Sequence, residues 1–132
     1  MAIEVHVVTP EREVWTGQAV EVIAHGVDGD VGILTGHAPM LIQLAVGPLH
    51  LQLEDGTWQR AVVDGGFLHV STEEGQTRVD VLATNGQLLE EIDVEAARRR
   101  LEELGSPDAD DRSAQVDRLR LEARIALASS SV

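Results

Sequence analysis

A change of hydrophobic period at Asn85-Gly86 constrains this chain more than any other feature. Before that point, apolar residues recur at every second position. Ile3, Val5 and Val7 alternate with Glu4 and His6, and Val20, Val22 and Ala24 with Glu21 and Ile23. Leu49, Leu51 and Leu53 alternate with His50, Gln52 and Glu54, and Val79 and Val81 with Arg78 and Asp80. Period two sets one face of a strand against a core and the other in water. Turn signals punctuate these runs at Thr16-Gly17, Asp28-Gly29, Asp55-Gly56, Gly65-Gly66 and Glu74-Gly75. Short strands without helical interruption predict an antiparallel β-sandwich or flattened barrel over residues 1–86.

Residues 87–132 read as helices. Asp93 is a good N-cap, with Glu95 in the first turn where the helix dipole favours an anion. Val94, Ala97, Leu101 and Leu104 fall at helical spacing, and Gly105 suits a left-handed C-cap. Ser106-Pro107-Asp108 starts a short connection. A second helix is expected from about Asp110 toward Ala128, with Val116, Leu119, Ala123 and Ala126 on one side and Leu121, Ile125 and Ala128 on a second edge. So short a link predicts an antiparallel hairpin. Its apolar face is thin and rich in Ala, so its docking is expected to be marginal and reversible. Ser129-Ser130-Ser131 reads as a frayed end.

At 132 residues the chain fits one ordinary domain, or a small domain with an appendage. Trp15, Trp58 and Phe67 are its only aromatic residues, so Val, Leu, Ile and Ala must fill the core. Without Cys there are no disulfides or thiolate metal sites. No basic-then-apolar leader and no run of ~20 apolar residues occurs, so a soluble cytoplasmic protein is expected. The net charge of −13 opposes binding to nucleic acid or anionic lipid. It is unevenly placed: 13 acidic residues and three arginines lie up to Glu90, against 10 and seven beyond it. All basic residues are Arg.

Catalytic motifs are missing. His6, His25, His50 and His69 are scattered over strands and turns, without metal-ligand spacing. Ser71 lacks a nucleophile-elbow pattern, no phosphate-binding glycine loop occurs, and a carboxylate pair would need a pocket. Arg98, Arg99 and Arg100 on the first helix, and Arg112, Arg118, Arg120 and Arg124 on the second, permit two readings. They are solvated faces with acidic partners, such as Glu95 with Arg99, or a movable surface for an acidic partner or phosphate. The shaped stretch is Gly29-Asp30-Val31-Gly32-Ile33-Leu34-Thr35-Gly36-His37-Ala38-Pro39. Asp28-Gly29 and Thr35-Gly36 tolerate positive φ around a short strand, and Pro39 extends Ala38. This stretch reads as a presented surface, in which His37 either organises the loop or meets a partner.

Several motifs in order resemble one family, the epsilon subunit of the F-type ATP synthase. Val8-Thr9-Pro10-Glu11-Arg12 with Val14-Trp15-Thr16-Gly17 is similar to its opening strand and turn. Gly29–Leu34 followed by Gly36-His37-Ala38-Pro39-Met40-Leu41 is similar to its most specific motif. Asp64-Gly65-Gly66-Phe67-Leu68-His69-Val70 resembles its glycine-pair strand, and Ile92-Asp93 its helical opening. The resemblance implies a non-catalytic subunit of the rotary central stalk, peripheral on the cytoplasmic face of the bacterial plasma membrane. Its sandwich would bear on the gamma subunit and c-ring, coupling proton-driven rotation to ATP synthesis. Its hairpin would extend toward the alpha/beta head and restrain hydrolysis. Asp28, Gly29, Asp30, Gly36, His37, Ala38 and Pro39 match the c-ring-facing loops, and Arg98, Arg99, Arg100, Arg118, Arg120 and Arg124 become the regulatory helix contacts. No cofactor or metal is implied.

Some family members bind ATP through Ile/Leu-Asp-x-x-Arg-Ala. Here Ile92-Asp93 is followed by Ala96 at the arginine position, and alanine makes no bidentate phosphate contact. Arg99 and Arg100, three and four residues on, return to nearly the same face. The implied affinity for ATP is weak or nil. The alternative to the stalk reading is a free-standing acidic adaptor with a detachable hairpin.

Overall fold

The computed structural model describes residues 2–130, in which strands fill the chain as far as Leu88 and two helices follow. The strands are β1 (Ile3–Val8), β2 (Glu13–Ala19), β3 (Glu21–Gly26), β4 (Gly29–Leu34), β5 (Met40–Gln52), β6 (Trp58–Glu73), β7 (Gln76–Ala83) and β8 (Gly86–Leu88). After a single turn of 3-10 helix at Leu89–Glu91 come α1 (Val94–Leu104) and α2 (Arg112–Ser129). Ser130 caps α2, and Ser131 of the expected frayed end lies outside the described residues.

Hydrogen bonding runs in the order β2-β1-β7-β6-β5-β3-β4, with β8 added to β6. Every pair is antiparallel except β1 with β7, which run parallel because β1 inserts between β2 and β7. Alternation within one strand carries no information about the direction of its neighbour, so that pair was not readable from the pattern. Arg78 helps to fix it, donating to Glu4 on β1 and to Asp80 on its own strand, each at 3.0 Å.

The alternating residues form the core. Ile3, Val5, Val7, Val22, Ala24, Leu49, Leu51, Val79 and Val81 are all buried in one cluster. Most turn signals hold. Glu74 and Gly75, both at positive φ, make the tight β6–β7 hairpin, and Asp55 accepts hydrogen bonds from Thr57 in the β5–β6 turn. Thr16-Gly17 is a correction. Both lie inside β2, where Gly17 opposes Val5 and the Trp15 ring covers the space that a side chain would need. The glycine there serves packing, not a turn.

The long strand β5 pairs along its whole length with Trp58–Val70 of β6, yet the ladder skips at Ala45 and Gly65. Before the skip β6 is flanked by β8, and after it by β7. Gly65 and Gly66 have φ of 89° and 127°, and a Cβ on Gly66 would lie 2.1 Å from the carbonyl oxygen of Leu82. This is the close strand crossing that the glycine pair predicts. Gly66→Ala is therefore expected to cost roughly 3 kcal/mol or more. Gly75→Ala, at positive φ but facing open space, is expected to cost about 1–2 kcal/mol. Urea unfolding of the two variants checks the ranking.

Candidate functional site: loop surfaces and the hairpin cleft

The two halves of the shaped stretch occupy opposite ends of β4. At one end the β3–β4 turn presents Asp28, Gly29 and Asp30, and the Val27 amide donates to Gln43 on β5. Asp30 is exposed and sits 2.6 Å from His25 Nδ1. At the other end Gly36 donates to the buried Thr77 hydroxyl at 2.8 Å, tying residues 35–39 to β7. His37 turns its Nδ1 to the Ala38 carbonyl at 2.7 Å, and its amide donates to Leu34. That contact is local to the loop and leaves both readings of His37 open; Ala38 and Pro39 are exposed. Six residues of strand separate the ends by about 17 Å, so the seven residues form two surfaces.

Apolar side chains accompany these surfaces. Val27 and Leu41 are 52% and 65% exposed beside the β3–β4 turn. Phe67 and Leu82, opposed in the β6–β7 ladder, are 48% and 55% exposed and flank a shallow groove with Val8 and Pro10. Large apolar side chains held in water on a small domain mark surfaces available to a partner.

The helices begin as expected. Asp93 accepts the Ala96 amide at 3.0 Å, and Gly105 ends α1 at φ 58° and ψ −133°, a glycine conformation outside the left-handed helical one expected. Asp111 caps α2 through the Ala114 amide. Of the arginines, Arg98, Arg99 and Arg100 are exposed. Arg98 pairs with Glu95 in place of Arg99, and Arg100 with Glu103. Arg118 pairs with Glu122, and Arg112 is exposed.

Arg124 corrects the reading of α2 as an arginine-lined outer surface, because it is buried against the strands. Its Nη1 and Nη2 donate to the two carboxylate oxygens of Asp64 at 2.8 and 2.9 Å, and its Nε to Gln87 at 2.6 Å. The reason lies in β6. Ala61, Val62, Val63 and Asp64 are buried in succession, but only Ala61 and Val63 belong to the sandwich core. By strand alternation Val62 and Asp64 share the other face, and α2 covers it. A carboxylate there requires a buried cation. The apolar contribution is small: among described residues of the two helices only Ala97 and Leu127 are buried apolar side chains, and Leu119, expected on the packed side, is exposed.

Two clefts follow from this docking. One, of about 470 Å³, is lined by Arg12, Arg100, Arg120 and Arg124 with Asp64 and Asp117. Arg12 is committed to Glu91 by two bonds of 2.7 and 2.9 Å, which hold the Glu91 carboxyl below its ordinary range. Of the four residues considered for nucleotide, Arg100 lines this cleft, and Ile92, Asp93 and Arg99 are not among its lining residues. The second cleft lies between α2 and β5 and includes His25, His50 and Glu122. No group of three potential metal ligands occurs among the described residues.

A β-sandwich with exposed apolar side chains near its loops and a docked helical hairpin has the surfaces of an interaction module. The comparisons specify which kind. Residues 2–93 match the family described as "ATP synthase, Delta/Epsilon chain, beta-sandwich domain". The chain is 40% identical over 112 residues to the ATP synthase epsilon chain of Streptomyces griseus, covering 83% of this chain and 86% of that one. It is 46% identical over 99 residues to that of Thermobifida fusca, covering 74% and 70%. A chain in the OSCP/F1/c-ring structure of Euglena gracilis mitochondrial ATP synthase superposes with a TM-score of 0.80 at 27% identity, covering 96% of this chain and 81% of that chain. The chain belongs to the ATP synthase epsilon family, a non-catalytic subunit of the central stalk.

His50 gives this region a pH dependence. Its Nδ1 accepts from Arg60 at 2.5 Å, and its ring meets Trp58 edge-on. Burial, and then the Arg60 charge, push its pKa below the ordinary 6.5. The unfolded chain therefore binds the proton more readily, and this contribution to stability is full above about pH 6.5 and declines as pH falls below it. Thermal unfolding of His50→Gln is expected to vary less between pH 7 and ~5 than that of the parent chain.

Proposed function

We propose that this subunit couples c-ring rotation to ATP synthesis through its sandwich and restrains ATP hydrolysis through its hairpin. The observation that carries the reading is the division of labour in the fold. The sandwich has its own core and two presented loop surfaces, whereas the hairpin, among the described residues, adds two buried apolar side chains. Val27, Leu41 and the exposed Asp30 suit an apolar partner with a polar rim, and we assign Asp28, Gly29, Asp30 and Gly36 to Pro39 to the c-ring side. The Euglena neighbour was solved in an assembly that includes a c-ring, which supports that assignment. The gamma subunit is the partner we propose for the rest of the sandwich, and the alpha/beta head for the extended hairpin with Arg98, Arg99, Arg100 and Arg118. No helix of the described residues is long and apolar enough to cross a membrane. A peripheral place on the cytoplasmic face of a bacterial membrane follows from this reading.

Residues 1–86 and 87–132 act here as a rotor-binding part and a regulatory part. The last strand, β8, ends at Leu88 and pairs with Ala61–Val63, so the working hinge falls after the 3-10 turn, at Ile92-Asp93. ATP binding is weak or nil, because Ala96 offers no cation and Asp64 already occupies Arg124. Membership of the family favours this stalk reading over a free-standing adaptor.

The paired substitution Asp30→Ala with His37→Ala tests the c-ring assignment. Both side chains are at the surface of loops fixed by other bonds, from the Val27 and His37 amides and from Gly36 to the Thr77 hydroxyl, so stability is expected to change by less than about 0.5 kcal/mol. Reassembly with an epsilon-depleted synthase is expected to weaken about tenfold, ~1.4 kcal/mol. Normal reassembly with a large loss of stability would show that the loops serve the fold alone.

A further inference from the structure

The cleft between α2 and β6 gathers four guanidinium groups around a single buried carboxylate. Arg12 and Arg100 are engaged elsewhere, by Glu91 and Glu103. Arg120 meets Asp117 of its own helix at 3.7 Å through Nη1, and Arg124 donates to Gln87, but both also turn toward Asp64. They lie four residues apart on one face of α2, and both approach Asp64, whose side chain is 1% exposed. Arg124 donates to both carboxylate oxygens, and its Nη1 also donates to the Arg120 carbonyl at 3.0 Å. Arg120 Nε is buried 3.8 Å from Asp64 Oδ2 and has no hydrogen-bond acceptor among the described residues. Both ion pairs that join the helices to the strands, among the described residues, end on Asp64.

We propose that Asp64 is a built-in anion: it fills the arginine cradle of α2 and so holds the hairpin against the sheet without any bound ligand. The carboxylate is a fixed target. Its residue precedes the Gly65-Gly66 bend, and its amide donates to the Asn85 carbonyl at 2.9 Å, which leaves its backbone little freedom. The cradle belongs to one rigid helix, so both arginines reach the carboxylate together or leave it together. Fully lifted, α2 uncovers Asp64 to water; a partly opened cleft, too narrow to hydrate the separated charges, is the costly state. This gives the hairpin two discrete positions instead of a continuous drift. The inference rests on the proposed regulatory role of the hairpin and names what sets its resting state.

The test uses the isolated full-length chain. It lacks Cys, so Glu54→Cys on the β5–β6 turn and Ala128→Cys near the end of α2 can be spin-labelled uniquely. The parent chain should give one short distance. Asp64→Ala should raise the fraction of long distances more than tenfold. Sodium acetate, which supplies a carboxylate to the vacated cradle, should restore the short distance, whereas equal sodium chloride should not. Arg124→Met should open the hairpin beyond rescue by acetate. A short distance retained in Asp64→Ala, or equal rescue by chloride, would overturn the proposal. If Asp64→Ala loses its far-UV strand signal, Arg124→Met decides, because it lies on the helix and leaves the sandwich core intact: a short distance retained there also overturns it. No synthase is present, so a hairpin that stays shut sinks the latch and leaves the stalk reading standing. Failed reassembly in the loop experiment has the opposite consequence.

Discussion

The bend in the β5–β6 ribbon is the constraint on which the rest of the molecule depends. Two strands of 13 and 16 residues are too long to lie flat over a core this small, and the ladder must break somewhere. It breaks where Ala45 faces Gly65, and Gly66 lets the β7 backbone approach more closely than any Cβ permits. The break moves β6 from the company of β8 to that of β7. It also decides where the hairpin goes, since Asp64 stands at the bend and turns its carboxylate away from the core.

Energetically, the two parts are unlike. The sandwich buries a continuous set of aliphatic side chains from seven strands, each fully buried residue worth roughly 1.5–3 kcal/mol. The hairpin buries Ala97 and Leu127 and spends a desolvated ion pair. Such pairs add little net stability relative to apolar residues, but removing one partner costs about 3–5 kcal/mol. The hairpin is thus weakly held overall and sharply positioned, which suits an element that must leave and return to one place.

Much of this was legible from residues alone. Alternation marked the buried faces of β1, β3, β5 and β7, and Asp93 and Gly105 bounded α1 to the residue. Where reading stopped, the cause was an interaction between distant positions. Nothing local distinguishes Arg124 from Arg118, since both sit on a polar-looking helix; a carboxylate 60 residues away makes the difference. Asp64 itself carried a signal that was passed over, an acidic residue closing the apolar run Ala61-Val62-Val63. Thr16-Gly17 misled because a glycine beneath an aromatic ring and a glycine in a turn look alike in one dimension. The exposed Phe67 and Leu82 were equally hidden, because β6 alternates from Phe67 to Val70 while its outer face there stays open.

Native-state hydrogen exchange on the intact chain tests most directly whether a self-sufficient sandwich carries a separately held hairpin. The account predicts that amides of α1 and α2 exchange through a common opening, at lower free energy than amides of β6 and β7, which stay protected until global unfolding. Equal exchange free energies in α2 and in the Leu68–Val70 segment of β6 would contradict it, because the hairpin would then be part of the same cooperative core.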